Sequence, residues 1–377
     1  MQAILPLARK KMVIENIDIL NFKNIEEARL EFSDGVNCLL GRNGMGKSNL
    51  LEAIHFVCMA RPMSSIPESG LIRHGQDLMS VQGLFAMDNG SAEKVNIGLV
   101  RGKGKSLKRN GKEYARLTQH IGRFPIVTVT PADSELIGRP AQERRRMMDM
   151  VISQADASYL FQLVRYNKSL ESRNSMLRAG MRDALLFESV EAVMAESAAI
   201  VHEARKRWIE TIQEPVRVNY ARIAGAGESI NIGYRSSLND TDMATLIRNN
   251  RSKDAALGYT SAGIHRDDMT TEINGYPLKS YGSQGQLKSF TIALRLAVFD
   301  YLKKAGGVTP LLLLDDIFDK LDSTRVSNIM QLVSQADTFG QIFITDTNRE
   351  HLDETLAALS GPKKLISVEE GNFYGEI

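Results

Sequence analysis

The sequence predicts an α/β protein: a mixed sheet with helices, interrupted by an inserted and mainly helical lobe. Three observations carry that prediction. An apolar run, Val36–Leu40, leads through a glycine-rich loop into an amphipathic stretch, Asn49–Ala60. A second apolar run, Leu311–Leu314, ends in the acids Asp315 and Asp316. Between them, from about 139 to 220, β-type alternation disappears and charged, Ala, Leu and Met residues recur at helical spacing.

In chain order, Met1–Lys11 precedes a second methionine, Met12, and is read either as a disordered extension or as a mis-assigned upstream start, with no function. Val13–Phe22 alternates apolar and polar residues and predicts an edge strand or hairpin; Ala28–Phe32 predicts a second strand before the turn Ser33-Asp34-Gly35. Val36–Leu40 is expected to be a buried strand. The helix after it places Leu50, Leu51, Ile54, Val57 and Cys58 on one face. Asp77–Tyr114 returns to strand alternation, with turns at Asp88-Asn89-Gly90 and Asn110-Gly111, and Ile126–Val129 is a further strand. The expected division is an extension over 1–11, the first part of an α/β lobe over 12–130, a helical insertion over 131–255 and the second part of that lobe over 256–377.

The glycine-rich loop makes the two-part α/β lobe an expected ATPase lobe. Gly41-Arg42-Asn43-Gly44-Met45-Gly46-Lys47-Ser48, followed by Asn49, has the order a phosphate-binding loop requires. Its glycines let the backbone aim N–H groups inward, and the helix start adds partial positive charge. Lys47 can reach the β- and γ-phosphates of ATP, and the Ser48 hydroxyl can ligate Mg²⁺. Of the two acids, Asp315 is expected to hold the Mg²⁺ shell and Asp316 to orient the attacking water, which makes Lys47, Asp315 and Asp316 the catalytic candidates.

Composition bounds the rest. The 377 residues are 43% hydrophobic and 24% charged with a net charge of +2, which describes a soluble protein and gives no whole-molecule argument for nucleic acid. No run approaches the ~20 apolar residues of a membrane span. Cys38 and Cys58 lack metal-ligand spacing and read as small core residues, so a cytoplasmic location is the default.

Tyr281-Gly282 leads into Ser283-Gln284-Gly285-Gln286 and then a helical stretch with Phe290, Ala293, Leu294, Ala297 and Tyr301 on one face. Coming shortly before the acidic strand, this is the order of the ABC-type P-loop ATPase head. There the signature serine and glycine touch the γ-phosphate held by a second subunit, so ATP-dependent dimerisation is expected to complete the site. Lys320-Leu321-Asp322 stands where such heads carry a D-loop. The place of their switch histidine holds Asp346, Thr347 or Asn348, and His351 reads as surface.

Together these elements resemble the RecF family of SMC-like ATPases, from about Met12 to the C-terminus. The resemblance runs through Ile17–Asn24, Gly41–Ile54, Asn110-Gly111, Pro131-Ala132-Asp133, Arg144–Asp149, Tyr166-Asn167-Lys168, Arg173-Asn174 and Thr260–Asp268. Departures are Met147 in place of an aromatic, one extra residue between Pro140 and Arg144, Ile264 where proline is common, and Gln286-Leu287-Lys288-Ser289 in place of Gln-Gln-Arg-Thr. None removes a phosphate or Mg²⁺ ligand. The chain lacks the long heptad insertion of SMC proteins.

The resemblance implies a weak, DNA-dependent ATPase that binds DNA at single-strand gaps or junctions and releases it on slow hydrolysis. It further implies partnership with RecO and RecR in loading the recombinase, with roles in recombinational repair, replication restart and the SOS response. Arg101–Lys112 is the densest basic segment and supplies DNA-contact candidates Lys103, Lys105, Lys108, Arg109 and Lys112; the alternative is a solvated turn. Arg144-Arg145-Arg146 reads as at least one arginine paired with an acid, and Lys23 and Arg73 are weaker candidates. The competing functional readings are an ABC-type motor acting on a protein or membrane partner without DNA, and an OLD-type nuclease, for which too little chain follows Asp315.

Overall fold

The computed structural model describes residues 10–63, 66–317, 321–333, 339–358 and 361–376. The chain divides into two compact units, one built from the residues up to Asp133 together with those from Arg295 onward, the other Ser134–Leu294.

The first part of the first unit carries β1 (Lys10–Phe22), β2 (Ile25–Glu31), β3 (Val36–Leu40), α1 (Lys47–Met59), β4 (Leu78–Met87), β5 (Ala92–Val100), β6 (Gly104–Arg109), β7 (Lys112–Glu113) and β8 (Ile126–Val129). Two expectations are corrected in β1. The strand starts at Lys10, not after Lys11, because Lys10 and Lys11 pair in parallel with Val308 and Thr309. Of the edge strand or hairpin expected here, the edge gives way and the hairpin forms: β2 pairs antiparallel along one side, β4 along the other, and Ile14, Ile17 and Ile19 are buried on one face.

The second unit carries α2 (Ala141–Ala155), α3 (Ala157–Arg178), α4 (Ala184–Ala224), β9 (Ile230–Arg235), α5 (Met243–Leu257), β10 (Asp268–Ile273), β11 (Tyr276–Pro277), α6 (Leu278–Tyr281) and the start of α7 (Gln284–Gly306). Asp156, Asp183 and Asp242 cap α3, α4 and α5 by accepting N–H bonds of the first turn. This unit runs past the expected boundary at 255, to Leu294, because β10 pairs antiparallel with β9, and β10 packs on α2 and β9 on α4. Sheet pairing between segments far apart in sequence leaves no mark on local composition.

The chain returns to the first unit with β12 (Val308–Thr309), β13 (Leu311–Asp315), α8 (Ser323–Val333), β14 (Ile342–Asp346), α9 (Arg349–Ala358), β15 (Lys363–Glu369) and β16 (Asn372–Glu376). One sheet of the unit has the order β12-β1-β4-β5-β6-β7, with β2 also on β1; the other has the order β16-β15-β3-β14-β13-β8, and its inner pairs are parallel. Helix α1 touches β1, β4 and β5 of the first sheet and β8, β13 and β14 of the second, and is buried from Leu50 to Met59. A helix apolar on nearly every side requires such a sandwiched place. Gln341 joins the sheets: its side chain accepts the Ile14 N–H at 2.8 Å and donates to the Ile14 and Ser33 carbonyls at 2.9 and 2.8 Å, where the β1–β4 register shifts. Among the described residues, no helix is long and apolar enough to cross a membrane.

Two histidines inside this unit give a pH prediction. Burial lowers His55 and His120 from 6.5 to about 4 each. The folded-state pKa lies below the unfolded value, so unfolding takes up protons between these limits. Their stabilisation is complete above about pH 6.5 and lost as pH falls towards 4. Each such proton is worth about 1.4 kcal/mol per pH unit. Urea midpoints should therefore drop from pH 7 to pH 5, and His120→Gln should flatten the slope by about one proton. A midpoint unchanged over that range contradicts the assignment.

Candidate functional site

Parallel pairing brings three strand ends together. Leu40 of β3 lies opposite Asp346 of β14, and Thr345 lies opposite Asp315 of β13, so the carboxyl ends of neighbouring strands meet at one edge of the sheet. Ligands of open α/β sheets bind at such edges. The loop between β3 and α1 starts there, with the Gly41 N–H on the Asp346 carbonyl at 3.4 Å. A Cβ at Gly41 would stand 2.4 Å from the Val368 carbonyl oxygen, so any larger residue pushes the loop off β15. Gly44 and Gly46 hold φ of +82° and +116°, which favours glycine. Gly46 caps α1 without any side-chain bond, leaving the first-turn N–H groups for an anion.

The loop is strapped from outside by residues the sequence did not single out. Asn24 donates to the Met45 carbonyl at 3.3 Å and accepts from Asn49 at 2.7 Å. The Gly371 N–H reaches the same Met45 carbonyl at 2.8 Å. Arg42 and Asn43 are exposed at the tip.

Lys47 is 6% exposed, and its ammonium donates to the Gly41 and Arg42 carbonyls at 2.6 and 3.1 Å. Burial lowers its pKa, opposed by Asp316, Asp315 and Asp346. The Ser48 hydroxyl donates to Asp315 Oδ1 at 2.9 Å across 267 positions of sequence. Thr345 donates to the same oxygen at 2.8 Å and accepts the Asp316 N–H at 2.9 Å. Burial raises the pKa of Asp315, against the Thr345 and Ser48 hydrogen bonds. Asp316 has φ of +51°, a left-handed turn at the end of β13. Thr345 went unnoticed because only strand register sets it against Asp315.

This donor set fits Mg²⁺. A hydroxyl and a carboxylate side by side match an ion that takes one or two protein oxygens and otherwise uses water and phosphate. At the switch position, the Asp346 carboxylate accepts the N–H groups of Thr347 and Asn348 at 2.6 and 2.9 Å. The side chain of His351 and the whole of Lys320 lie outside the described residues. Asp322, next to them, caps α8 through the Arg325 N–H at 2.9 Å.

The signature belongs to the second unit. The Ser283 N–H donates to Gln286 Oε1 at 2.7 Å, and the Gln286 N–H donates to Ser283 Oγ at 3.2 Å, a reciprocal capping box opening α7. Ser283 and Gln284 are exposed, and Gly285 and Gln286 half-buried. Before them, a Cβ at Gly282 would lie 2.7 Å from the Leu278 carbonyl oxygen, which explains that glycine too.

Strand parity divides the basic hairpin. Lys105, Leu107 and Arg109 of β6 lie opposite Leu99, Ile97 and Val95, on the face that buries Leu107. Lys105 is accordingly enclosed, donating to the Ala60 carbonyl at 2.7 Å and pairing with Glu68. Arg109 sits 3.7 Å from Glu93 and over the Tyr114 ring. Lys105 is thereby spent on the fold, whereas Arg109 stays half-exposed beside a longer ion pair. Lys103, Lys108 and Lys112 are exposed, and so is Lys94 beside them, which the sequence reading missed. Of the weaker candidates, Lys23 pairs with buried Glu52 and Arg73 with Glu26 at 2.7 Å. Arg144 is buried in a two-pronged pair with Asp268 at 2.7 and 3.0 Å; Arg145 donates to the Asp267 carbonyl at 2.6 Å, and exposed Arg146 pairs with Glu143 at 2.7 Å.

The profile described as RecF/RecN/SMC N terminal domain matches residues 13–368. A protein of Phocaeicola vulgatus named DNA replication and repair protein RecF is 45% identical over 362 residues, covering 96% of this chain and 97% of that protein. One of the same name from Parabacteroides distasonis is 44% identical over 360 residues, covering 96% and 98%. A solved structure described as the recombination mediator protein RecF with ATP in the RecFOR pathway matches with a TM-score of 0.88 at 28% identity, covering 99% of this chain and 100% of that one. A Smc head domain from Pyrococcus furiosus matches at 0.58 with 18% identity over 97% and 96% of the two chains, a likeness of fold alone.

Proposed function

This chain belongs to the RecF/RecN/SMC N terminal domain family and within it to the RecF proteins, and from that premise we propose an ATP-dependent DNA-binding protein of replication and repair that dimerises on ATP. The observation that carries the ATP reading is the junction of Ser48 with Asp315 beside the uncapped start of α1. The relatives' name supports the DNA role and gives none to the alternative of a motor without DNA.

In this reading the loop N–H groups and Lys47 hold the β- and γ-phosphates, and Ser48 and Asp315 hold Mg²⁺. Bound there, Mg²⁺ neutralises charge on the phosphate oxygens. Asp316, turned out of β13, positions the attacking water. An aspartate is one methylene shorter than a glutamate would be there, and none of the three switch positions offers a histidine, so hydrolysis is slow and times release. Ser283 and Gly285 of one copy complete the site of another. Exposed Lys94, Lys103, Lys108 and Lys112 contact DNA phosphates without reading bases. RecR and RecO are the proposed partners at gaps or junctions, in a cytoplasmic setting.

Sedimentation with a non-hydrolysable ATP analogue, with and without gapped duplex, tests this. The wild type should dimerise and bind gapped DNA more tightly with the analogue. Ser283→Arg should bind the analogue within about twofold and stay monomeric. Normal dimers of Ser283→Arg would remove the shared-site reading.

A further inference from the structure

The signature serine does not stand alone on its helix. Its capping box depends on the orientation of one amide. Gln286 accepts the Ser283 N–H with Oε1 and turns Nε2 to Glu228 Oε1 at 2.5 Å. An amide side chain can be rotated end for end, and its neighbours decide which end faces where. An ionised carboxylate only accepts hydrogen bonds. Glu228 therefore admits only Nε2 and leaves Oε1 for the Ser283 N–H. In the reverse orientation Nε2 would face that N–H donor to donor and the box would open.

Glu228 is itself held. It lies in the link between α4 and β9, and its other oxygen accepts the hydroxyl of Tyr220, a buried residue of α4. Next to it, Ser229 and Asn274 exchange two hydrogen bonds of 2.8 Å each, which pins the backbone of the link to the turn after β10. Within the box Ser283 Oγ acts as acceptor for the Gln286 N–H. The box thereby leaves the serine's own O–H to donate, as a phosphate oxygen requires.

We propose that Glu228 is the positioning residue of the signature: through the Gln286 amide it keeps the Ser283 hydroxyl in a donating geometry towards the γ-phosphate of ATP held by a second copy. The proposal rests on the shared-site reading above. Glu228 acts through Gln286 and lies outside the phosphate loop, so its loss acts on dimerisation and turnover while each copy still binds ATP.

The test compares wild type, Glu228→Leu, Glu228→Gln, Tyr220→Phe and Ser283→Arg in three measurements: ATP-analogue affinity, analogue-dependent dimerisation, and kcat against KM for ATP hydrolysis. Glu228→Leu should keep affinity within about twofold and lower dimerisation and kcat about tenfold or more. Glu228→Gln keeps an acceptor oxygen for Nε2 and should restore most of both; Tyr220→Phe should fall between. If Glu228→Leu dimerises and turns over like wild type while Ser283→Arg fails, the positioning role is overturned and the shared site stands. If Ser283→Arg also behaves like wild type, it is the shared site that has failed. If Glu228→Gln is as impaired as Glu228→Leu and both lose thermal stability equally, Glu228 is merely structural and the proposal is overturned.

Discussion

Lys47→Ala is expected to weaken ATP binding about a hundredfold or more and to abolish ATP-dependent dimers. Hydrogen bonds to charged groups are worth about 1.5–3 kcal/mol each, and in the proposed reading Lys47 offers its ammonium to two phosphates. Fold stability should change little. The ammonium is buried against two carbonyls, and burial already opposes its charge. That separation makes the result interpretable by thermal shift. A ligand at a hundred times its Kd adds about 2.7 kcal/mol to the folded state. The wild type should show that upward shift in Tm with MgATP, and Lys47→Ala should keep about a sixth of it or less (about 0.4 kcal/mol) at the same concentration. An equal shift in both proteins would disprove the assignment of the loop.

Arg205→Ala is expected to cost about 3–5 kcal/mol in the second unit, because it strands the buried Asp267 and the half-buried Asp149. Arg205, 2% exposed on α4, donates to Asp149 at 2.8 and 3.0 Å, to Asp267 at 3.0 Å and to the Ile264 carbonyl at 2.8 Å. A loss of that size is a large share of the ~5–15 kcal/mol that holds a domain together. The single tryptophan, Trp208, is buried one turn further along α4, so its fluorescence in urea reads this unit directly. The pH dependence has a definite sign. Burial already raises the pKa of Asp267; without Arg205 the rise is larger. A carboxyl whose folded-state pKa is raised supports the fold when protonated and loses that support as pH rises through the folded value. The deficit of the variant should therefore be greater at pH 7.5 than at pH 5. A midpoint within 0.5 kcal/mol of wild type at pH 7.5 would show that the carboxylates find other partners.

Much of the proposed nucleotide site was legible in the sequence because its requirements are local. Gly41, Gly44 and Gly46 answer to backbone torsions and a close approach, and Lys47 and Ser48 follow at fixed steps on a helix start. The acids after Leu311–Leu314 are legible for the same reason, since an apolar strand places its last residues at the sheet edge. Other contributors carried no such sign. Thr345 matters through its register against Asp315, Asn24 and Gly371 through their grip on Met45, and Glu228 through an amide 58 positions away. The basic hairpin shows the same limit from the other side. Counting lysines and arginines in Arg101–Lys112 found the charge, but not which side of β6 each residue faces.

What the sequence by itself determined, then, is the chemistry written in consecutive residues: a phosphate loop, an acidic strand end, a serine-glycine helix start and the order in which they occur. What only the tertiary structure decided is availability. It enclosed Lys105 against Glu68, placed Lys10 and Lys11 in a strand, and carried the second unit on to Leu294. The reason is physical: torsion and helix-start preferences act over a few residues, whereas strand register and buried charge pairing join segments hundreds of residues apart.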